Sequence, residues 1–280
     1  MSAQPEGFIR EFKQGDRIFS QGDKANGCMF FVYEGSLTIY RELEIGLKEI
    51  GCISKGQFFG EVGLIRNDTR TATVIVDSDT VRLGEINKKN FALLAVKKAE
   101  FLFSLMKNTI HNILRAQKQL QEMIGEGAAM QFDEPDLSDG DEENYMVNWS
   151  ILDYVRNVST QFYRRSDYIF KEGDDSDGNM YFVIDGVVMI TKKIDGMEQE
   201  IVEFSEGGFF GEMALINDSP RTASARSKTL QLKIAKLNKD IFMKICRTSP
   251  QFLYNILKTI ISRLIAVDQK IYSAGKKQDD

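Results

Sequence analysis

The sequence has 280 residues, 42% of them apolar, which is enough for two ordinary domains with real cores. Its net charge of −5 disfavours nucleic acid or an anionic membrane surface as a generic partner. Cys28, Cys52 and Cys246 form no CxxC pair and no apolar run reaches membrane-spanning length, so the expectation is a soluble cytoplasmic protein without a disulfide framework.

In chain order, the first elements are short apolar runs broken at glycine. "DRIFSQGDKANGCMFFVYEG" (16–35) leads into "SLTIY", rich in aromatic and β-branched residues, which reads as strands joined by tight turns at Gly22 and Gly35. "GQFFGEVGLIRNDTRTA" (56–72) follows, then the strand-like "TATVIV". Residues 91–124 carry apolar positions at three- and four-residue steps and read as one long helical stretch. "QFDEPDLSDGDEEN" (131–144) has seven acidic residues and no basic ones; it reads as a solvated linker, or else as a docking segment for a basic partner.

Beyond the linker the chain repeats itself. A shift of 151 residues lays "DYIFKEGDDSDGNMYFVIDG" (167–186) on the first run and "GGFFGEMALINDSPRTA" (207–223) on the second, without a gap. The helical spacing recurs in 242–267, where Ser249-Pro250 is placed to start a second helix. The expected fold class is α+β, with two β-roll, jelly-roll-like barrel domains in tandem, each with flanking helices. The domains are placed at 1–125 and 146–273, with the acidic linker at 126–145 and a tail at 274–280.

The chemistry concentrates in the duplicated cassette. Gly60-Glu61 and Gly211-Glu212 precede a segment able to form a single helical turn, whose first N–H groups lack intrahelical acceptors and favour an anion. Nine residues after each Glu stands Arg70 or Arg221, a planar fork suited to phosphate oxygens, and a buried arginine needs a counter-charge. The carboxylate suits a hydroxyl on the same ligand. A compact body carrying a phosphate beside a hydroxyl describes a 3′,5′-cyclic nucleotide.

Both halves resemble the cyclic-nucleotide-binding domain, and "FFGEMALINDSPRTA" is similar to the phosphate-binding cassette of that family. The tandem arrangement resembles the regulators of cAMP- and cGMP-dependent kinases. The resemblance implies that Glu61 and Glu212 accept the ribose 2′-hydroxyl and that Arg70 and Arg221 grip the phosphate. It places Gly60, Val62 and Gly63, and Gly211, Met213 and Ala214, in the turn lining the phosphate, with Ala72 and Ala223 supplying backbone contacts. Thr71 and Thr222 stand where a hydroxyl reaches a guanine amino group in cGMP-binding members; base preference stays open. Trp149 matches an aromatic cap over the first site, or serves as a core anchor. At the second site the corresponding stretch, near Ile260, is aliphatic, and Tyr254 and Tyr272 are candidate substitutes for the cap. Gly63 and Thr69 replace the usual Ala and the Pro seen at Pro220, so the first site is expected to be looser.

The sole histidine, His111, falls on a helix and cannot supply a histidine cluster, so no metal, cofactor or catalytic site is expected, only the ligand cAMP and/or cGMP. The reading is a cyclic nucleotide sensor that binds one nucleotide per domain and relays a change to an effector protein. Its alternatives are a kinase regulatory subunit, or a tandem with one degenerate site. No Arg-Arg-x-Ser/Ala inhibitor run precedes the first repeat here, and "YRRSDY" (163–168) reads as a strand entry.

Overall fold

Alternating and aromatic-rich runs become strands, and the structure, a computed structural model, describes residues 9–43, 46–65, 69–125, 152–155, 158–194, 196–216 and 220–277. The chain divides into two compact units, residues 1–123 together with 264–280, and residues 124–263.

The first unit contains β1 (Ile9–Lys13), β2 (Arg17–Phe19), β3 (Cys28–Glu34), β4 (Ser36–Leu43), β5 (Gly46–Ser54), β6 (Phe58–Phe59), β7 (Thr73–Val76) and β8 (Thr80–Asn87). They pair antiparallel in two four-stranded sheets, ordered β1-β8-β3-β6 and β2-β7-β4-β5. Inward residues of both sheets, among them Phe30, Leu37, Phe59, Val74 and Leu83, form one core, with Phe19 and Ile39 packed against it.

The second unit repeats this with β9 (Thr160–Arg164), β10 (Tyr168–Phe170), β11 (Asn179–Asp185), β12 (Val188–Ile194), β13 (Met197–Phe204), β14 (Phe209–Phe210), β15 (Ser224–Ser227) and β16 (Gln231–Asn238). Its sheets run β14-β11-β16-β9 and β10-β15-β12-β13. The register repeats as well: Phe30 faces Phe59, and 151 residues on Tyr181 faces Phe210. Gly35 and Gly186 turn with φ of 86° and 93°, and an added Cβ would lie 2.4 Å from the Thr80 carbonyl oxygen or 2.6 Å from that of Gln231. Only glycine closes this turn in either copy. The Arg-Arg-Ser run ends β9 rather than entering a strand, and Ser166 turns at φ 71° where the first copy has Gly15.

Each barrel is followed by a helix pair. In the first unit α1 (Glu61–Ile65) lies in the cassette, and α2 (Lys88–Lys97) and α3 (Ala99–Ile124) follow β8. Asn87 caps α2 by accepting from the Asn90 N–H at 2.9 Å, and Asn238 caps α4 (Lys239–Thr248) by accepting from Ile241 N–H at the same distance. The last helix, α5, is Pro250–Lys277. Residues 264–273, expected in the second domain, group with the first unit; α5 is 28 residues long and runs past the boundary at Arg263.

The stretch 91–124, expected as one helix, is broken at Lys98, which has φ −141° and ψ 87°. Ser249, its counterpart, has φ −142° and ψ 79°. A proline at 250 pushes Ser249 out of the helical region. Lys98 has no such neighbour; there the break lets Phe101 pack edge-on against Phe58 and Phe91, at centroid distances of 5.4 and 5.8 Å. No helix among the described residues is long and apolar enough to cross a membrane.

Candidate functional site

The two arginines are set by their main chains first. Gly22 N–H donates to the Arg70 carbonyl at 2.9 Å and Arg70 N–H to the Asp23 carbonyl at 2.8 Å; Gly173, Arg221 and Asp174 repeat this at 2.8 Å each way. Asp23 and Asp174 tighten those turns by accepting from Ser20 and Lys171 N–H at 2.7 Å. The "QGD" and "EGD" turns are therefore what hold the arginine backbones.

The guanidiniums then turn inward. Arg70 is 5% exposed, with its Cζ 4.3 Å from the Phe19 ring centre; Arg221 is 7% exposed, 4.2 Å from Phe170. Burial favours such a stacked cation–π contact. Arg70 donates to the carbonyls of Gly60 at 3.0 Å and Cys28 at 2.9 Å, and to Asn26 Oδ1 at 2.7 Å. Arg221 donates to the carbonyls of Gly211 at 3.4 Å and Asn179 at 3.0 Å, and to the Asp177 carboxylate. Burial pushes the Arg70 pKa down, opposed by the nearby Cys28, Glu61, Asp23 and Glu85.

The third acceptor is where the copies part. Asn26 is a neutral amide, whereas Asp177 is a carboxylate that also accepts from Tyr181 Oη at 2.6 Å and pairs with Lys236 at 3.0 Å. Burial alone would raise the Asp177 pKa; the hydrogen bonds from Tyr181 and Lys236 and the charge of Arg221 outweigh it and bring it down to about 2.

The glutamates differ in the same sense. Glu61 is 4% exposed, and its described side-chain contact is a weak 3.5 Å bond from Asn112 Nδ2 on α3. Burial raises its pKa. Glu212 pairs at 3.3 Å with Arg263 of α5, which also donates to the Phe209 carbonyl at 2.7 Å and lies over the Phe209 ring. Asn112 and Arg263 stand 151 apart, so each second helix touches its own cassette glutamate.

Gly60, Glu61, Val62, Gly63, Arg70, Thr71 and Ala72 all line one pocket. Gly60 and Gly211 turn at φ 77° and 71° before the helical turn, which is α1 in the first copy and a 3-10 turn, Glu212–Leu215, in the second. Gly63 has a packing reason rather than a merely loose one: an added Cβ would lie 2.7 Å from Arg70 Nη1 and 2.9 Å from Ala25 Cβ. In the second cassette Ala214 is buried, Met213 and Ala223 are half-buried and Thr222 is exposed. Thr69 forms an isolated bridge with Lys24, and Pro220 is exposed.

Trp149 lies outside the described residues, as does the side chain of Tyr272. Tyr254 is half-buried beneath Lys258, and Ile260 is fully buried. Sequence reasoning did not single out Phe19, Phe170, Asn112, Arg263 or Arg41, the last a buried residue of the same pocket. The register pairing of Phe19 with Phe170, and a lone charge in "IISRLIAV", were the available signals.

His111 is exposed on α3, and no group of three His, Cys, Asp or Glu able to hold a metal occurs among the described residues. Cys28 and Cys246 are buried, and burial raises both thiol pKa values, that of Cys28 to about 11 with help from Glu85, so neither is activated.

Against known proteins, the chain is 27% identical over 237 residues to the cAMP-dependent protein kinase regulatory subunit of Debaryomyces hansenii, covering 84% of this chain and 44% of that one. It is 26% identical to the type II regulatory subunit of Drosophila melanogaster, covering 85% and 54%. The chain thus spans about half the length of the curated relatives it matches. The regulatory domain of Toxoplasma gondii PKA, solved with cAMP, aligns over 87% of this chain and 82% of its own at 21% identity and a TM-score of 0.31. The profile of the cyclic nucleotide-binding domain matches twice, at residues 9–97 and 160–249, each match spanning one barrel with its arginine and glutamate. With more than half its length in those two matches, the chain belongs to the cyclic nucleotide-binding domain family, carrying two copies in tandem.

Proposed function

We propose that each unit binds one 3′,5′-cyclic nucleotide, cAMP or cGMP, and that binding is relayed to an effector protein without catalysis. The observation that carries this is the buried arginine sharing a pocket with a buried glutamate: Arg70 with Glu61 in the first unit. The cyclic phosphate, a monoanion, takes the guanidinium as its counter-charge, exchanging with the acceptors that now hold it. The ribose 2′-hydroxyl donates to the glutamate. The second copy keeps the same pair in Arg221 and Glu212. Kinase regulation is the second reading, favoured by relatives that are cAMP-dependent protein kinase regulatory subunits. The effector on that reading is a kinase catalytic subunit, and the three free cysteines fit a reducing, cytoplasmic setting.

The helices that touch the cassette are the natural relay. Asn108 of α3 donates to the Phe58 carbonyl at 2.8 Å and Asn112 to Glu61; Arg263 of α5 bridges Glu212 and the Phe209 carbonyl. A hydroxyl arriving at either glutamate competes with these contacts, so ligand and helix bias one equilibrium. Hydrogen exchange in residues 99–124 is expected to change when cAMP or cGMP is added in excess; identical exchange with and without nucleotide rules α3 out as the relay.

Arg221→Lys keeps the charge but removes the fork. Losing a buried, hydrogen-bonded charge contact costs about 2–5 kcal/mol, so calorimetry should record at least a roughly tenfold loss of nucleotide affinity at the second site alone. Unchanged affinity there contradicts the assignment.

Glu61 gives a prediction in pH. Its folded pKa is raised, so folding favours the protonated form; that contribution is complete below the ordinary glutamate value and is lost as pH rises through the raised one. Glu61→Gln is therefore expected to raise the thermal midpoint of the ligand-free protein, by a margin that grows as pH rises above the ordinary glutamate value. It should also narrow the preference for a ribose ligand over its 2′-deoxy analogue. A margin independent of pH contradicts the electrostatic account of Glu61.

A further inference from the structure

Leu37, Ile39 and Arg41 are alternate residues of β4 and share its inward face. The first two pack into the barrel core, yet the third carries a guanidinium and is only 3% exposed. Arg41 lines the same pocket as Glu61 and Arg70. Its Nη2 donates to Asp268 Oδ1 at 2.6 Å, a contact within the first unit. Its Nη1 is buried and has no hydrogen-bond partner among the described residues. A buried donor of a charged group left unpaired is costly, and an acceptor brought in by a ligand would remove that cost.

What that acceptor is follows from the ligand, so the inference rests on the cyclic nucleotide reading. With phosphate at Arg70 and ribose at Glu61, the base takes the rest of the pocket, between Ile39, Ile50, Ile53 and Leu264, where Arg41 also stands. A 6-oxopurine presents O6 and N7 as adjacent acceptors for the unpartnered Nη1 donor, whereas adenine places an amino donor beside N7. We propose that Arg41 makes the first site select a cyclic nucleotide with a 6-oxopurine base over one with a 6-aminopurine base. The second unit has Lys192 at the equivalent position, a compact ammonium without the fork, so the selection belongs to the first site.

The discriminating probe is 3′,5′-cyclic inosine monophosphate. It differs from cAMP at the 6-position and lacks the 2-amino group of cGMP, which takes Thr71 out of the comparison. Calorimetry on the full chain carrying Arg221→Ala, which leaves the first site to be read, is run with cyclic inosine monophosphate and cAMP in parallel. The expected result is tighter binding of the inosine ligand by about tenfold or more, as one charge-assisted hydrogen bond allows. That gap should collapse in Arg41→Met, and in Arg41→Met combined with Asp268→Asn, which spares the fold an orphaned carboxylate. Equal affinities, or tighter cAMP, in the chain that keeps Arg41 overturn the inference without needing either variant to fold. A gap that survives loss of Arg41 overturns the role given to that residue. Failure of both nucleotides to bind overturns the cyclic nucleotide reading and the inference with it.

Discussion

A guanidinium placed inside an apolar barrel has to be met by acceptors, and each unit of this protein is arranged around that demand. The glycine turn after β2 or β10 clamps the arginine main chain, the aromatic at the end of that strand lies under its fork, and carbonyls from β3 or β11 and from the cassette glycine receive its hydrogens. None of these contacts is an ion pair with the cassette glutamate. Arg70 and Glu61 each remain able to serve a ligand that brings both an anion and a hydroxyl to the same pocket.

The two copies meet the demand with different charges. The first uses Asn26 and Asn112, neutral amides, beside Arg70 and Glu61; the second uses Asp177 and Arg263, ionic partners, beside Arg221 and Glu212. In the second site Arg221 and Glu212 each already have an ionic partner, Asp177 and Arg263. In the first site the described side-chain contact of the buried Glu61 is the weak bond from Asn112, and burial raises its pKa. Gly63 draws the first cassette in around Arg70, while Ala214 occupies that place in the second. One duplicated scaffold thereby holds two sites of distinct electrostatic character.

Much of this was legible in the sequence because duplication works as an internal control. The shift of 151 residues picked out Gly60-Glu61 and Arg70 with their partners Gly211-Glu212 and Arg221, and seven residues assigned to the first cassette line one pocket. Strand β15, "SARS", carries little β-propensity and is readable only from its register with "TVIV". The break at Lys98 carries no proline, so periodicity alone ran through it, although Ser249-Pro250 marked the same place in the other copy. Arg263 and Arg41 were hidden for a different reason. Arg263 sits within an apolar run of a helix and Arg41 at the charged end of an apolar strand, and the role of each depends on which side chains it meets across the fold, which composition cannot say. The expected cap, Trp149, lies outside the described residues, whereas Leu264 and Asp268 of α5 line the first pocket without any local signal.

The central claim is that both buried arginines exist to neutralise a cyclic phosphate. Equilibrium dialysis of the full chain against labelled cAMP and labelled cGMP tests it most directly, since it counts bound nucleotide. The account predicts saturation at two nucleotides per chain with one of these ligands. A chain that retains neither nucleotide at any concentration tried would contradict it.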